Sequence, residues 1–189
     1  MDAFRKSQFP KLTMAERTRL DGLARTDAIV WTRAFPEAWA AFRRDRLTVL
    51  VRRIREVVKR ERPDALVSSA VVPDPVEART RKLQDWSAWA EVGLLDVVCP
   101  MAYATTEAAF TVQMDTAIQG AQGRPVWAGI GAWRLPVGRA AEHLSSARQA
   151  GAIGVLLFSY DSLLTASTPP GTYFTELRPA LIGARSDRR

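Results

Sequence analysis

At 189 residues and 47% hydrophobic, the chain can bury a core of ordinary domain size, which sets it apart from disordered segments. It holds no run of about 18 apolar residues to span a bilayer. Its start, Met-Asp-Ala-Phe-Arg-Lys, lacks the apolar stretch of an export signal, and its one cysteine, Cys99, excludes a disulfide framework.

The formal net charge of +7 raises nucleic acid or an anionic surface as a partner. The excess is local, however. Arg43, Arg44, Arg46, Arg52, Arg53, Arg55, Lys59, Arg60 and Arg62 lie on one helical stretch, where Leu47, Leu50, Val51, Ile54, Val57 and Val58 recur at the spacing of a buried stripe. Trp39 and Phe42 extend that stripe. Aromatics are not interleaved with the basic residues as stacking platforms for bases would require, so the stretch reads as a solvated outer helix and no nucleic-acid partner is expected.

Taken in order, Thr13-Met14-Ala15-Glu16 has the form of a capping box and predicts a helix from Met14 to about Ala24, with Leu20 and Leu23 inward. Residues 26 to 34 read as a connection, and Phe35-Pro36-Glu37 opens the basic helix, which runs to about Glu61 before Pro63. Four apolar runs then recur about every 30 residues as strands near 65–72, 94–103, 125–133 and 152–160. The second, Leu94 to Tyr103, is the most continuous and reads as buried on both faces.

Each strand is followed by turn residues and a helical pattern. Asp74-Pro75 with Glu77 starts a helix that carries Ala78, Leu83, Trp86 and Trp89 to a cap at Gly93. Further helices are predicted at about 107–119, 138–150 and 174–182, the last after a Pro- and Thr-rich loop from 165 to 172. One domain over 1–183 and a frayed basic tail over 184–189 follow. Strands alternating with helices make this an α/β fold with a parallel sheet. A doubly wound sheet shares that alternation, but the small residues of Ala128-Gly129-Ile130-Gly131 favour a (β/α)8 TIM barrel, of which about four βα units with additional N-terminal helices are present.

In parallel α/β folds ligands meet the C-terminal ends of the strands. Those ends hold Asp74, Tyr103 to Glu107, Trp133-Arg134 and Tyr160-Asp161. Aromatic faces stack on sugar rings, while carboxylates bond hydroxyls or act as acid and base, so this composition suits a glycan. Asp74, Tyr103, Trp133 and Tyr160 are the candidate substrate-binding residues. Each has a plain structural reading: Asp74 as an N-cap, Glu107 as a first-turn residue favoured by the helix dipole, and the tyrosines as rim packing. Asp96 starts its strand and belongs to the stability face. His143 has no cysteine or second histidine nearby, so no metal or other cofactor is expected.

The strings Phe35-Pro36 with Trp39 and Phe42-Arg43-Arg44, Val67-Ser68-Ser69-Ala70-Val71, Leu83-Gln84-Asp85-Trp86, Cys99-Pro100-Met101-Ala102-Tyr103, Val126-Trp127-Ala128-Gly129-Ile130-Gly131 and Phe158-Ser159-Tyr160-Asp161, in this order, resemble the C-terminal half of the glycosyl-hydrolase-like family 10 proteins. The resemblance runs from about the first helix to Leu163. It implies a (β/α)8 barrel and a glycosidase acting on polysaccharide, with bacterial cell-wall glycan a candidate, in proteins usually exported to the periplasm or beyond. Asp161, directly after its strand, is a candidate catalytic carboxylate by position, and where relatives carry an aspartate this chain has Thr106, so either Glu107 next to it takes that catalytic role or the role is vacant. The family's upstream strand end of Asp-Tyr-x-Arg-Tyr type has no counterpart in residues 1–34, which implies a fragment that lacks one catalytic carboxylate. A non-catalytic carbohydrate-binding or scaffold module is the alternative, and self-association through exposed barrel edges is expected in either case.

Overall fold

The computed structural model describes residues 1–165 and 170–182. The chain forms two compact units, Met1–Leu50 and Val51–Arg189. The tail over 184–189 lies outside the described residues.

The first unit is helical. It comprises α1 (Asp2–Gln8), a 3-10 turn at Phe9–Lys11, α2 (Met14–Leu23), α3 (Val30–Ala34) and the start of α4 (Pro36–Glu61). The capping box forms as the sequence predicts: the Glu16 N–H donates to Thr13 Oγ1 and the Thr13 N–H donates to Glu16. These bonds hold the Glu16 carboxyl below its usual range. Leu23 is exposed rather than inward, and α2 buries no residue. The aromatics make the core here. Phe4 packs against Trp39 and Phe42 with centroids 4.9 and 5.4 Å apart, and Trp31 is buried beside Phe9 and Phe35. Trp31 belongs to α3, where an irregular connection was expected.

The second unit takes in the end of α4 and then β1 (Ser68–Val71), α5 (Pro75–Arg81), α6 (Trp86–Glu91), β2 (Val97–Ala102), α7 (Glu107–Gly120), β3 (Trp127–Ile130), a 3-10 turn at Ala132–Arg134, α8 (Val137–Gln149), β4 (Gly154–Leu157), α9 (Tyr160–Thr165) and α10 (Thr172–Ile182). All four strands are parallel, in the order β1-β2-β3-β4, each next to its sequence neighbour. The order never reverses among the described strands. Each strand is shorter than its apolar run: the run's first residues lead in from the preceding helix, and its last residues, such as 131–133 and 158–160, leave the sheet for the following turn.

Two helical readings change. The single helix predicted from 75 to 93 breaks between Arg81 and Trp86, where Leu83 takes a positive φ of 61° and the Gln84 N–H returns to Ala78 O. Part of the loop expected over 165–172 is outside the described residues, and α9 precedes it.

The register sorts strand residues onto two faces. One row runs through Ser69 and Val98 and the next-but-one through Val71, Pro100, Ala128 and Val155; with Ala102 and Ile130 these pack under the helices. Val71, Val98, Ala102, Ala128 and Ile130 are buried there. The alternate rows hold Ala70, Cys99, Trp127 and Gly154, then Met101, Gly129 and Leu156. This second face is the more open one at its edges, where Ala70 and Leu156 are exposed.

The glycines on this face are set by close approach. A Cβ on Gly129 would lie 2.7 Å from the Pro100 carbonyl oxygen, and one on Gly154 would lie 2.5 Å from the Trp127 ring.

The basic helix α4 ends where the sequence predicts, but its faces are turned. Arg55 and Lys59 point inward: Arg55 donates to Asp96 Oδ1 at 3.0 Å, and Lys59 lies 2.9 Å from Oδ2, which also accepts from the Val67 N–H at 2.9 Å. Leu50, Ile54 and Val57, expected in a buried stripe, are exposed, whereas Val51 and Val58 are half-buried. The charge-assisted pairs with Asp96 favour this rotation, since they turn the helix face that bears Arg55 and Lys59 toward the start of β2.

Candidate functional site

Three rings meet just past the strand ends. Tyr103, Gly131 and Phe158 each lie one residue beyond the paired row Ala102, Ile130 and Leu157, and so return to the face that carries Met101 and Leu156. Trp133 joins them from the 3-10 turn after β3. Ring centroids are 5.0 Å apart for Tyr103 and Trp133, 5.8 Å for Tyr103 and Phe158, and 5.4 Å for Trp133 and Phe158.

Gly131 makes this possible, since a Cβ there would lie 2.9 Å from the Trp133 ring and 3.1 Å from Tyr103 Cβ. The backbone fixes the arrangement further. The Trp133 N–H donates to Phe158 O at 3.3 Å, and Arg134 Nη1 donates to Tyr103 O at 3.4 Å. Trp133 is 40% exposed and Phe158 54% exposed, so the cluster offers ring surface to solvent. Partial burial raises the Tyr103 phenol above its ordinary pKa and keeps it protonated as a hydrogen-bond donor.

The remaining candidate residues divide. Tyr160 does not join the cluster; it opens α9 and stacks on Phe174 at 5.7 Å. Asp161 follows it in the first turn of α9, exposed, and among the described residues its carboxylate makes no hydrogen bond or ion pair. Helix α9 packs against the turn that carries Trp133. Asp74 is the N-cap of α5, with one oxygen accepting from the Val76 and Glu77 N–H groups at 2.7 and 3.0 Å.

Glu107 is turned into the helix layer. One of its oxygens accepts from Ser146 Oγ on α8, and the other lies 3.4 Å from His143 Nε2. His143 has no exposed surface and stacks on Phe110 with centroids 4.2 Å apart and planes 6° from parallel. Burial pushes its pKa down, Glu107 opposes that shift, and the imidazole is neutral near pH 7. Among the described residues, no cluster of three or more His, Cys, Asp and Glu could hold a metal ion.

Sequence reasoning named Tyr103 and Trp133 and missed Phe158. The signal was available: Phe158 sits as far beyond β4 as Tyr103 does beyond β2, and parity alone puts the two on one face.

The fold and this cluster define an α/β protein that presents aromatic rings at the C-terminal ends of parallel strands. Within that class the chain belongs to the glycosyl hydrolase-like 10 family, whose model matches residues 15–131. No curated protein and no solved structure matches the chain. The match contains Asp74, Tyr103 and Glu107 and ends at Gly131, before Trp133, Phe158, Tyr160 and Asp161 and short of the Leu163 limit of the resemblance. No described helix is long and apolar enough to cross a membrane.

Proposed function

We propose that the second unit is half of a glycoside-hydrolase-like (β/α)8 barrel that binds polysaccharide at its strand ends, with bacterial cell-wall glycan as the substrate class. The ring cluster of Tyr103, Trp133 and Phe158 carries this reading, supported by family membership. Exposed rings fixed by backbone bonds suit the apolar faces of pyranose rings, and the Tyr103 hydroxyl, Arg134 and Asp161 offer groups for sugar hydroxyls. The sequential parallel order fits one half of a closed barrel.

Glycosidases use two carboxylates roughly 5 to 9 Å apart. Asp161 is the proposed catalytic carboxylate at this edge. The engagement of Glu107 by Ser146 and His143 leaves it poorly placed as the partner, which supports a second reading: a chain that binds glycan and does not cleave it alone.

Trp133→Ala should lower affinity for purified cell-wall glycan strands by roughly tenfold, about 1.4 kcal/mol. Binding should hardly change between low and high salt, whereas a nucleic-acid complex would dissociate steeply. In a protein completed by upstream βα units, Asp161→Asn should slow hydrolysis by roughly 10- to 150-fold with affinity nearly kept. Equal glycan affinity for wild type and Trp133→Ala, measured by calorimetry, removes the ring cluster from the site. Binding by the completed protein without turnover leaves the binding module and ends the hydrolase reading.

A further inference from the structure

The sheet stops short at both edges. Among the described residues, β1 pairs only with β2 and β4 only with β3, and the two outer strands are each four residues long and point the same way. Apolar side chains lie uncovered near each edge. In the segments flanking β1, Ile54 is 47%, Val57 48% and Leu66 60% exposed; in and beside β4, Ile153 is 62% and Leu156 43% exposed. On the first side one flank of the α4 stripe, with Val51 and Val58, is half-buried, while the other, with Ile54 and Val57, is exposed among the described residues.

We infer that a second copy of this chain covers both edges, β1 of each copy pairing with β4 of the other, so that eight parallel strands close about a twofold axis. The inference rests on the half-barrel reading above and names the partner that completes its site. A twofold axis along the strands keeps every strand parallel and satisfies both open edges at once, so association ends at two copies. The five apolar side chains, each about half exposed, would cover roughly 400 Å² per copy and leave the rings of Trp133 and Phe158 open to the mouth, with the two paired edge backbones adding to the area, against the roughly 800 Å² per partner of a stable interface. The site gains most: one mouth would hold both ring clusters and both Asp161 carboxylates, so that the second copy supplies a second acid.

Sedimentation equilibrium at micromolar concentration should give twice the 21.0 kDa chain mass. Leu156→Arg at one edge and Ile54→Glu at the other should each weaken association at least ~10-fold, with circular dichroism confirming that each variant folds. Because each seam joins unlike edges, Ala70→Cys chains mixed with Leu156→Cys chains should form the mixed disulfide in preference to either self-disulfide. A monomer, an open-ended polymer, or self-disulfides alone would overturn the inference. A monomer that still binds glycan through Trp133 would leave the proposed function standing and assign the open edges to another polypeptide, whereas a dimer that ignores glycan would do the reverse.

Discussion

Asp96 shows what one carboxylate does at the strand starts. Burial alone would raise its pKa, but the Val67 N–H, Lys59 and Arg55 outweigh burial and hold it at about 2, below the ordinary 3.8. A group depressed on folding adds stability above its unfolded pKa and loses it as pH falls through the folded value. The contribution is therefore present above about pH 4 and gone near pH 2. A shift of this size corresponds to about 2 kcal/mol, so Asp96→Asn should lower stability by about that much at pH 7 and flatten the acid limb of stability between pH 4 and 2. Urea melts across that range check it. Asp161 is the contrast: it is exposed in the first turn of α9 and forms no such staple among the described residues.

At the scale of elements, α5, α6 and α7 meet around one ring. The Trp86 indole N–H donates to Val72 O at 3.0 Å, and a Cβ on Gly120 would lie 2.6 Å from that ring and 3.2 Å from Pro75. Both obstacles are packed rather than flexible, so Gly120→Ala should cost about 1 to 3 kcal/mol, less the gain from better helix propensity. Thermal melts of the single variant test this.

The elements themselves were largely legible. Capping chemistry is local, so Thr13-Glu16 and Asp74-Pro75 marked helix starts correctly, and the four apolar runs marked the strands. Which way α4 faces was not legible, because its stripe period says only that one face is apolar. The acid that favours its rotation, Asp96, is 41 residues from Arg55. The site was half legible for a similar reason. Strand-end position put forward Tyr103 and Trp133, whose rings meet, but nothing local to Glu107 announces Ser146 and His143, 39 and 36 positions on, as the groups that claim it.

At the scale of the molecule, the two units differ in what holds them. Among the described residues of 1–50, the buried apolar side chains are Phe4 and Trp31, whereas the second unit buries β2 almost end to end. Amide hydrogen exchange should therefore run faster through α1 to α3 than through β2 and β3, by at least ~100-fold, since opening a small core exposes little apolar surface. Equal protection in both, read by mass spectrometry, would show that they unfold as one.

The Asp96 staple also bears on how the chain finds this arrangement. Its bond to Val67 closes a loop of 29 residues, and its bond to Arg55 closes one of 41 that contains the first. Nested loops are not closed at full cost. Once β1 and β2 are side by side, Arg55 has only about 12 further residues to close, and the entropy spared is about 1 kcal/mol relative to closing the longer loop from an open chain. A contact distant in sequence thus becomes a near-local one, provided that the strands pair before the helix docks.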